Sequence, residues 1–279
     1  MIDLQLNKQF KKIFFYIVQL GAGGNGGYIL QQCAQMMNIF HAKGMYVVAD
    51  PDVVEEKNLA NQLFISKDVG LKKASVLAKR YRSHYNLPIA AYDERYIEDV
   101  QSLHRLFQHT DYTGCYRWDT FMLPVLIGAV DNNFTRQVMN DYFLSQDNLL
   151  YIDVGVESAW VPQDQRPPSE WSEHEKKRHN QTGWTGQVVA GLRLDGKTVL
   201  DPVAERFPDI LLDQDEIAPS EMACSNVVSS EPQRLITNRL AAQAVAGYLS
   251  EIFGDKTISN HVTFFHAKKQ YMRAERVNL

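Results

Sequence analysis

Cysteine is scarce in this chain: Cys33, Cys115 and Cys224 are the only three among 279 residues, and no two form a CxxC pair. That spacing encodes no cysteine-built zinc site, and no zinc is expected. An odd count at irregular intervals is not a disulfide framework either, which favours a reducing, cytoplasmic setting. Basic excess is also lacking. With 29 Lys and Arg against 33 Asp and Glu the formal charge is −4, which argues against nucleic acid as the partner. The longest late apolar run, residues 121–130, contains Pro124 and is far too short to cross a bilayer. Lys8, Lys11 and Lys12 precede an apolar run at 13–18 in the manner of a signal peptide. That run has no small-residue cleavage site and enters a glycine loop directly, so it reads as a buried strand of a soluble protein. The eight histidines show no metal-ligand spacing.

What is present is an ordinary globular composition, 45% hydrophobic and 22% charged, enough for one large domain or two small ones. Residues 13–20 form a continuous apolar run, as expected of a buried parallel strand. Further strands are expected at 45–50, 89–96, 125–130 and 149–154, with helices at 28–40, 72–85, 100–109 and 135–144 between them. This alternation predicts an α/β fold, a doubly wound, largely parallel Rossmann-like sheet with helices on both faces. It spans 1–161 as a nucleotide-binding domain. Residues 162–279 hold a polar insertion (163–183), a strand (188–194), an acidic crossing loop (201–220), a long helix (232–253) and a short strand (262–266), packed on the same domain.

The first strand runs into Gly21-Ala22-Gly23-Gly24-Asn25-Gly26, a G-x-G-x-x-G pattern. Its glycines permit a tight turn and close backbone approach, and the following helix start attracts phosphate. Asp50 ends the second strand 24 residues after Gly26, where an acid can accept hydrogen bonds from ribose hydroxyls. These two features serve ATP and NAD equally well. Downstream stand Asn58-Leu59-Ala60-Asn61-Gln62, then Gly70 and Lys73, then Asp131-Asn132 with Arg136.

In that order the residues resemble the ThiF/MoeB/HesA group, bacterial relatives of ubiquitin-activating enzymes, over roughly residues 13–155. The resemblance implies that Asp50 holds ribose, that Asn58 and Lys73 contact phosphates beside Gln62, and that Asp131 helps to hold magnesium. Each also has an ordinary structural reading: Asn58 and Gln62 as loop caps, Lys73 as a solvated helix residue, Asp131 as a helix N-cap. Asn61 stands where the family usually has arginine, and an amide does not replace that charge. Lys72 and Arg136 are the substitute cations the sequence offers. The N-terminal arginine that relatives extend into a partner subunit has no counterpart beyond Lys8, Lys11 and Lys12. Cys224, in Met222-Ala223-Cys224-Ser225, lies where the family can carry an acyl-accepting cysteine; a buried small hydrophobe is the other reading. Together with 233–238, Gln-Arg-Leu-Ile-Thr-Asn, it looks most like ThiF-like proteins of PRTRC gene clusters.

The expected function is therefore ATP- and magnesium-dependent adenylation of the C-terminal carboxylate of a small ubiquitin-like or sulfur-carrier protein. A homodimer is implied by the resemblance. Two other classes stay open: a nucleotide-binding pseudoenzyme that recruits partners, motivated by Asn61, and an NAD-dependent oxidoreductase. The latter leaves Asn58, Lys73 and Asp131 together without a role.

Overall fold

The computed structural model describes residues 1–4, 12–108, 119–164, 166–212, 218–224 and 232–277. The chain opens with β1 (Ile2–Asp3), β2 (Lys12–Leu20), α1 (Gly26–Ile39) and β3 (Gly44–Ala49). It continues through α2 (Lys73–Tyr85), β4 (Ile89–Tyr92), α3 (Val100–Leu106), β5 (Thr120–Gly128), α4 (Asn133–Ser145) and β6 (Leu149–Val156). One sheet runs in the order β4-β3-β2-β5-β6, and every neighbouring pair in it is parallel. This is the doubly wound order, with the reversal of direction between β2 and β5.

Side-chain alternation along β2 builds the two faces. Ile13, Phe15 and Ile17 enter the core under α1 and α2, whereas Tyr16, Val18 and Leu20 enter the core under α3 and α4. Each fully buried Phe or Ile of these cores is worth about 1.5–3 kcal/mol relative to exposure. β5 begins at Thr120, five residues before the strand expected from sequence, and includes Pro124. The proline is accommodated because β6 pairs with β5 only from Val125 onward, so no ladder bond on that side is lost.

The second half extends the same sheet with reversed direction. After α5 (Glu173–Gln181) come β7 (Thr185–Leu194), β8 (Lys197–Leu200), α6 (Val203–Arg206), α7 (Asp209–Leu212) and α8 (Pro219–Cys224). Then follow α9 (Leu235–Gly254), β9 (Thr257–Ile258), β10 (Asn260–His266) and β11 (Tyr271–Arg276). β7 joins β6 antiparallel, and β10 and β11 continue outward in antiparallel pairs. α9 packs beside α1, with Ala241, Val245 and Leu249 in the shared core. The polar insertion is not all loop: Ser172 and Glu175 form a reciprocal N-terminal cap that starts α5, a helix with no buried residue. The crossing segment carries three short helices where loop was expected, and β4 stops at Tyr92 rather than reaching 96. No helix among the described residues is long and apolar enough to cross a membrane.

Candidate active site

Because β2, β3 and β5 are parallel, their C-terminal ends share one edge, and the glycine loop, Asp50 and Asp131 follow those ends directly. Gly21 has φ +95°, and a Cβ there would lie 2.4 Å from the Ala129 carbonyl oxygen, so only glycine fits. A Cβ on Gly26 would lie 2.3 Å from the Gly21 oxygen, whereas one on Gly23 would meet nothing nearer than Gln62 Nε2 at 3.9 Å. Gly23 thus faces open space beside Gln62. α1 starts without a side-chain cap and without an acidic residue in its first turn, leaving its orphan N–H groups to an anion. Beneath the loop, the buried Gln19 donates from Nε2 to the carbonyls of Gly21 (2.7 Å) and Gly26 (2.9 Å). Gln19 Oε1 accepts from the Tyr46 hydroxyl. Above the loop, a Cβ on Gly24 would strike the side chain of Asn238, from the first turn of α9. Asn238 is fully buried, and neither of its amide atoms has a hydrogen-bond partner among the described residues.

Asp50 is buried and accepts two backbone N–H groups, from Ala22 (2.7 Å) and Asp52 (2.9 Å). Each oxygen retains a lone pair for a further donor. Lys73 reaches Asp50 because the chain between them zips closed. Lys73 N–H donates to the Asp52 carbonyl (2.9 Å), Val54 N–H to Leu71 (2.8 Å), and Gly70 N–H, at φ +86°, to Val54 (2.9 Å). Lys73 Nζ then pairs with Asp52 Oδ2 at 2.9 Å. Lys73 is only 7% exposed, which excludes the solvated-helix reading. Burial works against its charge, but Asp50 and Asp52 hold its ammonium above the ordinary lysine range. Burial pushes the Asp50 carboxyl up, with Lys73 opposing that rise. Burial acts in the same sense on Asp52, yet Lys73 overrides it and holds that carboxyl below its usual range. Tyr96 completes the group by donating to Asp52 Oδ1. Its phenol is pushed up by burial and by Asp52, Asp50 and Asp131, which puts Asp131 in electrostatic reach of the same cluster.

Asp131 is exposed and is not the helix cap: Asn132 Oδ1 caps α4 by accepting from Thr135 N–H at 2.8 Å. Asn58 does act as a loop cap, accepting from Glu55 N–H at 2.9 Å. Gln62 Oε1 and Asn61 Oδ1 are buried without partners among the described residues. The substitute cations expected from sequence are both committed. Arg136 donates to Asp153 (3.1 Å), Asn133 (3.2 Å), Val130 (2.7 Å) and Val154 (3.2 Å), so all three of its guanidinium nitrogens hold protein acceptors. Lys72 Nζ donates to the Pro51 carbonyl. Lys8, Lys11 and Cys115 lie outside the described residues, as does the Cys224 side chain, although its backbone ends α8. Lys12 opens β2 and pairs at 3.6 Å with Asp119.

A cavity of about 340 Å³ opens at Asp131 and is bounded by Glu157, Thr185, Gln187 and Gln233, with Phe207 and Ile210 from the crossing segment. Glu157 is fixed there by accepting from Trp184 N–H (3.0 Å) and Thr185 N–H (3.2 Å). Sequence reasoning did not single out Gln19, Asp52, Tyr96 or this cavity. Gln19 had a visible signal, an amide interrupting an apolar strand two residues before a glycine. The other three depend on contacts between distant segments.

No curated protein matches the sequence. Among solved structures, the microcin C7 biosynthetic enzyme MccB in complex with N-formylated MccA is similar at 16% identity and TM-score 0.60; 94% of this chain and 64% of that one are covered. E. coli MccB with ATP gives 15% identity and TM-score 0.58, with the same coverage. PaaA gives 12% identity and TM-score 0.57, covering 95% of this chain and 64% of PaaA. The chain thus spans just under two thirds of the length of these structures, and at such identities the likeness is one of fold. The ThiF family model matches residues 7–160, more than half of the sequence and the part that carries the glycine loop, Asp50, Lys73 and Asp131. This chain belongs to the ThiF family.

Proposed function

We propose that the protein adenylates the C-terminal carboxylate of a small ubiquitin-like or sulfur-carrier protein, using ATP. The observation that carries this reading is the opening of the cavity at Asp131, on the sheet edge that also holds the glycine loop and Asp50. A nucleotide on the loop and a peptide tail in the cavity would meet there. E. coli MccB, solved with ATP and with MccA, offers a precedent within the fold.

In this reading, loop N–H groups and Lys73 hold phosphates, and Asp50 takes the ribose hydroxyls with its spare lone pairs. Asp131 suits magnesium: it is an exposed hard-oxygen ligand that makes no hydrogen bond or ion pair among the described residues, and this ion takes one or two carboxylates and completes its shell with phosphate and water. When bound, the ion would neutralise charge on the phosphates. A carboxylate oxygen of the tail forms a bond to the α-phosphorus while the bond to pyrophosphate breaks. The nucleophile is already ionised, so no general base is required, and positioning supplies most of the rate. Transfer to Cys224 would follow adenylation, the thiolate bonding to the acyl carbon as the bond to phosphate breaks and AMP leaves. A thiol-sensitive complex with the carrier, absent in Cys224→Ala while adenylation persists, is the mark of that step. A homodimer and a cytoplasmic location belong to the same reading.

ATP–pyrophosphate exchange with candidate carrier proteins tests the proposal, and a folded protein that binds ATP yet never exchanges with a verified carrier overturns it. That outcome would favour the second reading, a nucleotide-binding pseudoenzyme. Its support is specific: Asn61 is neutral, and Arg136 and Lys72 are both tied to protein acceptors.

A further inference from the structure

We propose that Gln19 is a positioning residue that presets the glycine loop for phosphate, with Tyr46 fixing Gln19; this rests on the nucleotide reading above. Gln19 is fully buried in a central strand, where an amide left unpaired would lose the hydrogen bonds that water gives it. Its amide is instead fully engaged, with Nε2 spanning the loop from the Gly21 carbonyl to the Gly26 carbonyl and Oε1 accepting from Tyr46. A trans peptide unit points its N–H opposite to its carbonyl. Drawing the Gly21 carbonyl toward Gln19 therefore turns the Ala22 N–H outward, where it meets Asp50 Oδ2 at 2.7 Å. Drawing in the Gly26 carbonyl turns the Gly27 N–H toward the Gly23 carbonyl, 3.1 Å away. One side chain thus sets the two peptide planes that flank Gly23 and Gly24, of which Gly23 faces the open space a ligand can enter while Gly24 lies under Asn238.

The charge inventory gives this strut weight. Asn61 brings no charge, Arg136 is spent on Asp153 and backbone carbonyls, and Lys73 is shared with Asp52. Phosphate binding then leans on backbone N–H groups, whose value depends on their being aimed before the ligand arrives. Asp50 keeps its second anchor, the Asp52 N–H at 2.9 Å, so the ribose contact does not depend on Gln19 alone.

The test is calorimetric titration of ATP, AMP and adenosine into wild type, Gln19→Met and Tyr46→Phe, with folding followed by circular dichroism. Gln19→Met keeps the bulk and removes both donors. It is expected to weaken ATP binding about tenfold, AMP less, and adenosine by under about twofold, the size of one lost charge-assisted hydrogen-bond alignment. Tyr46→Phe removes one oxygen and is expected to give the same graded pattern at smaller amplitude. Should Gln19→Met fail to fold, the Tyr46→Phe gradient decides. Equal losses for all three ligands, or unchanged ATP affinity in a folded variant, would overturn the role of Gln19. A wild type that binds adenosine and ATP alike, or neither, would overturn the nucleotide reading beneath it.

Discussion

Lys73 Nζ and Asp52 Oδ2 lie 2.9 Å apart, with Lys73 buried and the Asp52 side chain 40% exposed. This pair is the meeting point of the two zipped arms, 52–54 and 70–73, and it holds Lys73 beside Asp50. Asp52 titrates below its ordinary 3.8, so its contribution to stability is fully present above that pH and is lost as pH falls through the lower folded value.

Removing the cation reverses the balance. In Lys73→Met, Asp50 and Asp52 face each other without compensation, and the cost is expected to be about 1–3 kcal/mol at pH 7, below a fully buried pair because Asp52 is partly exposed. Protonating the acids relieves their repulsion, so the deficit relative to wild type should shrink between pH 7 and pH 4.5. Thermal melts across that range check it; a deficit that stays constant would mean that Lys73 acts by packing alone.

The centre of the parallel half was legible because β2, β3 and β6 are largely buried on both faces and read as apolar runs, as does the second half of β5, with Gly21 and Asp50 following the first two of them directly. The antiparallel outer part was less so. Tyr271–Arg276 is exposed at all six positions, so β11 shows neither alternation nor an apolar run; it is held by pairing with β10 and by the Arg206–Glu275 ion pair. The three short helices of the crossing segment, four to six residues each, are too short for the helical period to repeat in the sequence. At the site, the ordered residues Gly21 to Asp131 could be named from sequence, but not their partners. The Asp52 contact spans 21 residues, and the commitment of Arg136 to Asp153 depends on β6 lying beside β5.

Arg136 is expected to be a structural cation. Its side chain is 11% exposed and that of Asp153 only 1%, with Tyr151 donating to the other Asp153 oxygen at 2.9 Å. Arg136→Met strands a buried carboxylate and should cost about 3–5 kcal/mol. Replacing both, Arg136→Met with Asp153→Leu, should recover much of that loss. Denaturant melts of the single and double variants provide the comparison, and a single variant as stable as wild type would contradict the assignment.

Gly23 and Gly26 should separate binding from folding. A methyl on Gly26 collides with the Gly21 carbonyl, so Gly26→Ala is expected to destabilise by about 1–3 kcal/mol through overpacking. A methyl on Gly23 meets open space, so Gly23→Ala should melt like wild type yet bind ATP weakly, because the methyl occupies the approach of the phosphates. Melting temperature and ATP affinity measured on both variants settle it. ATP affinity at the wild-type level in Gly23→Ala would move the phosphates away from this loop.

Asp131 and its neighbour Asn132 divide chemistry from stability in the same way. Asn132 carries the α4 cap, so Asn132→Ala should cost about 1 kcal/mol and leave the Asp131 carboxylate in place. Asp131 is exposed and makes no hydrogen bond or ion pair among the described residues, so Asp131→Asn, which keeps the shape and removes the charge, should shift stability by less than about 0.5 kcal/mol. If Asp131 holds magnesium against the ATP phosphates, that same substitution should reduce pyrophosphate exchange by two orders of magnitude or more, about what loss of a transition-state charge partner costs. Raising magnesium from 1 to about 20 mM should restore part of the activity if the defect is ion affinity, and none of it if the carboxylate acts on the nucleotide directly. Exchange at the wild-type rate in Asp131→Asn would leave this exposed aspartate with no part in the reaction.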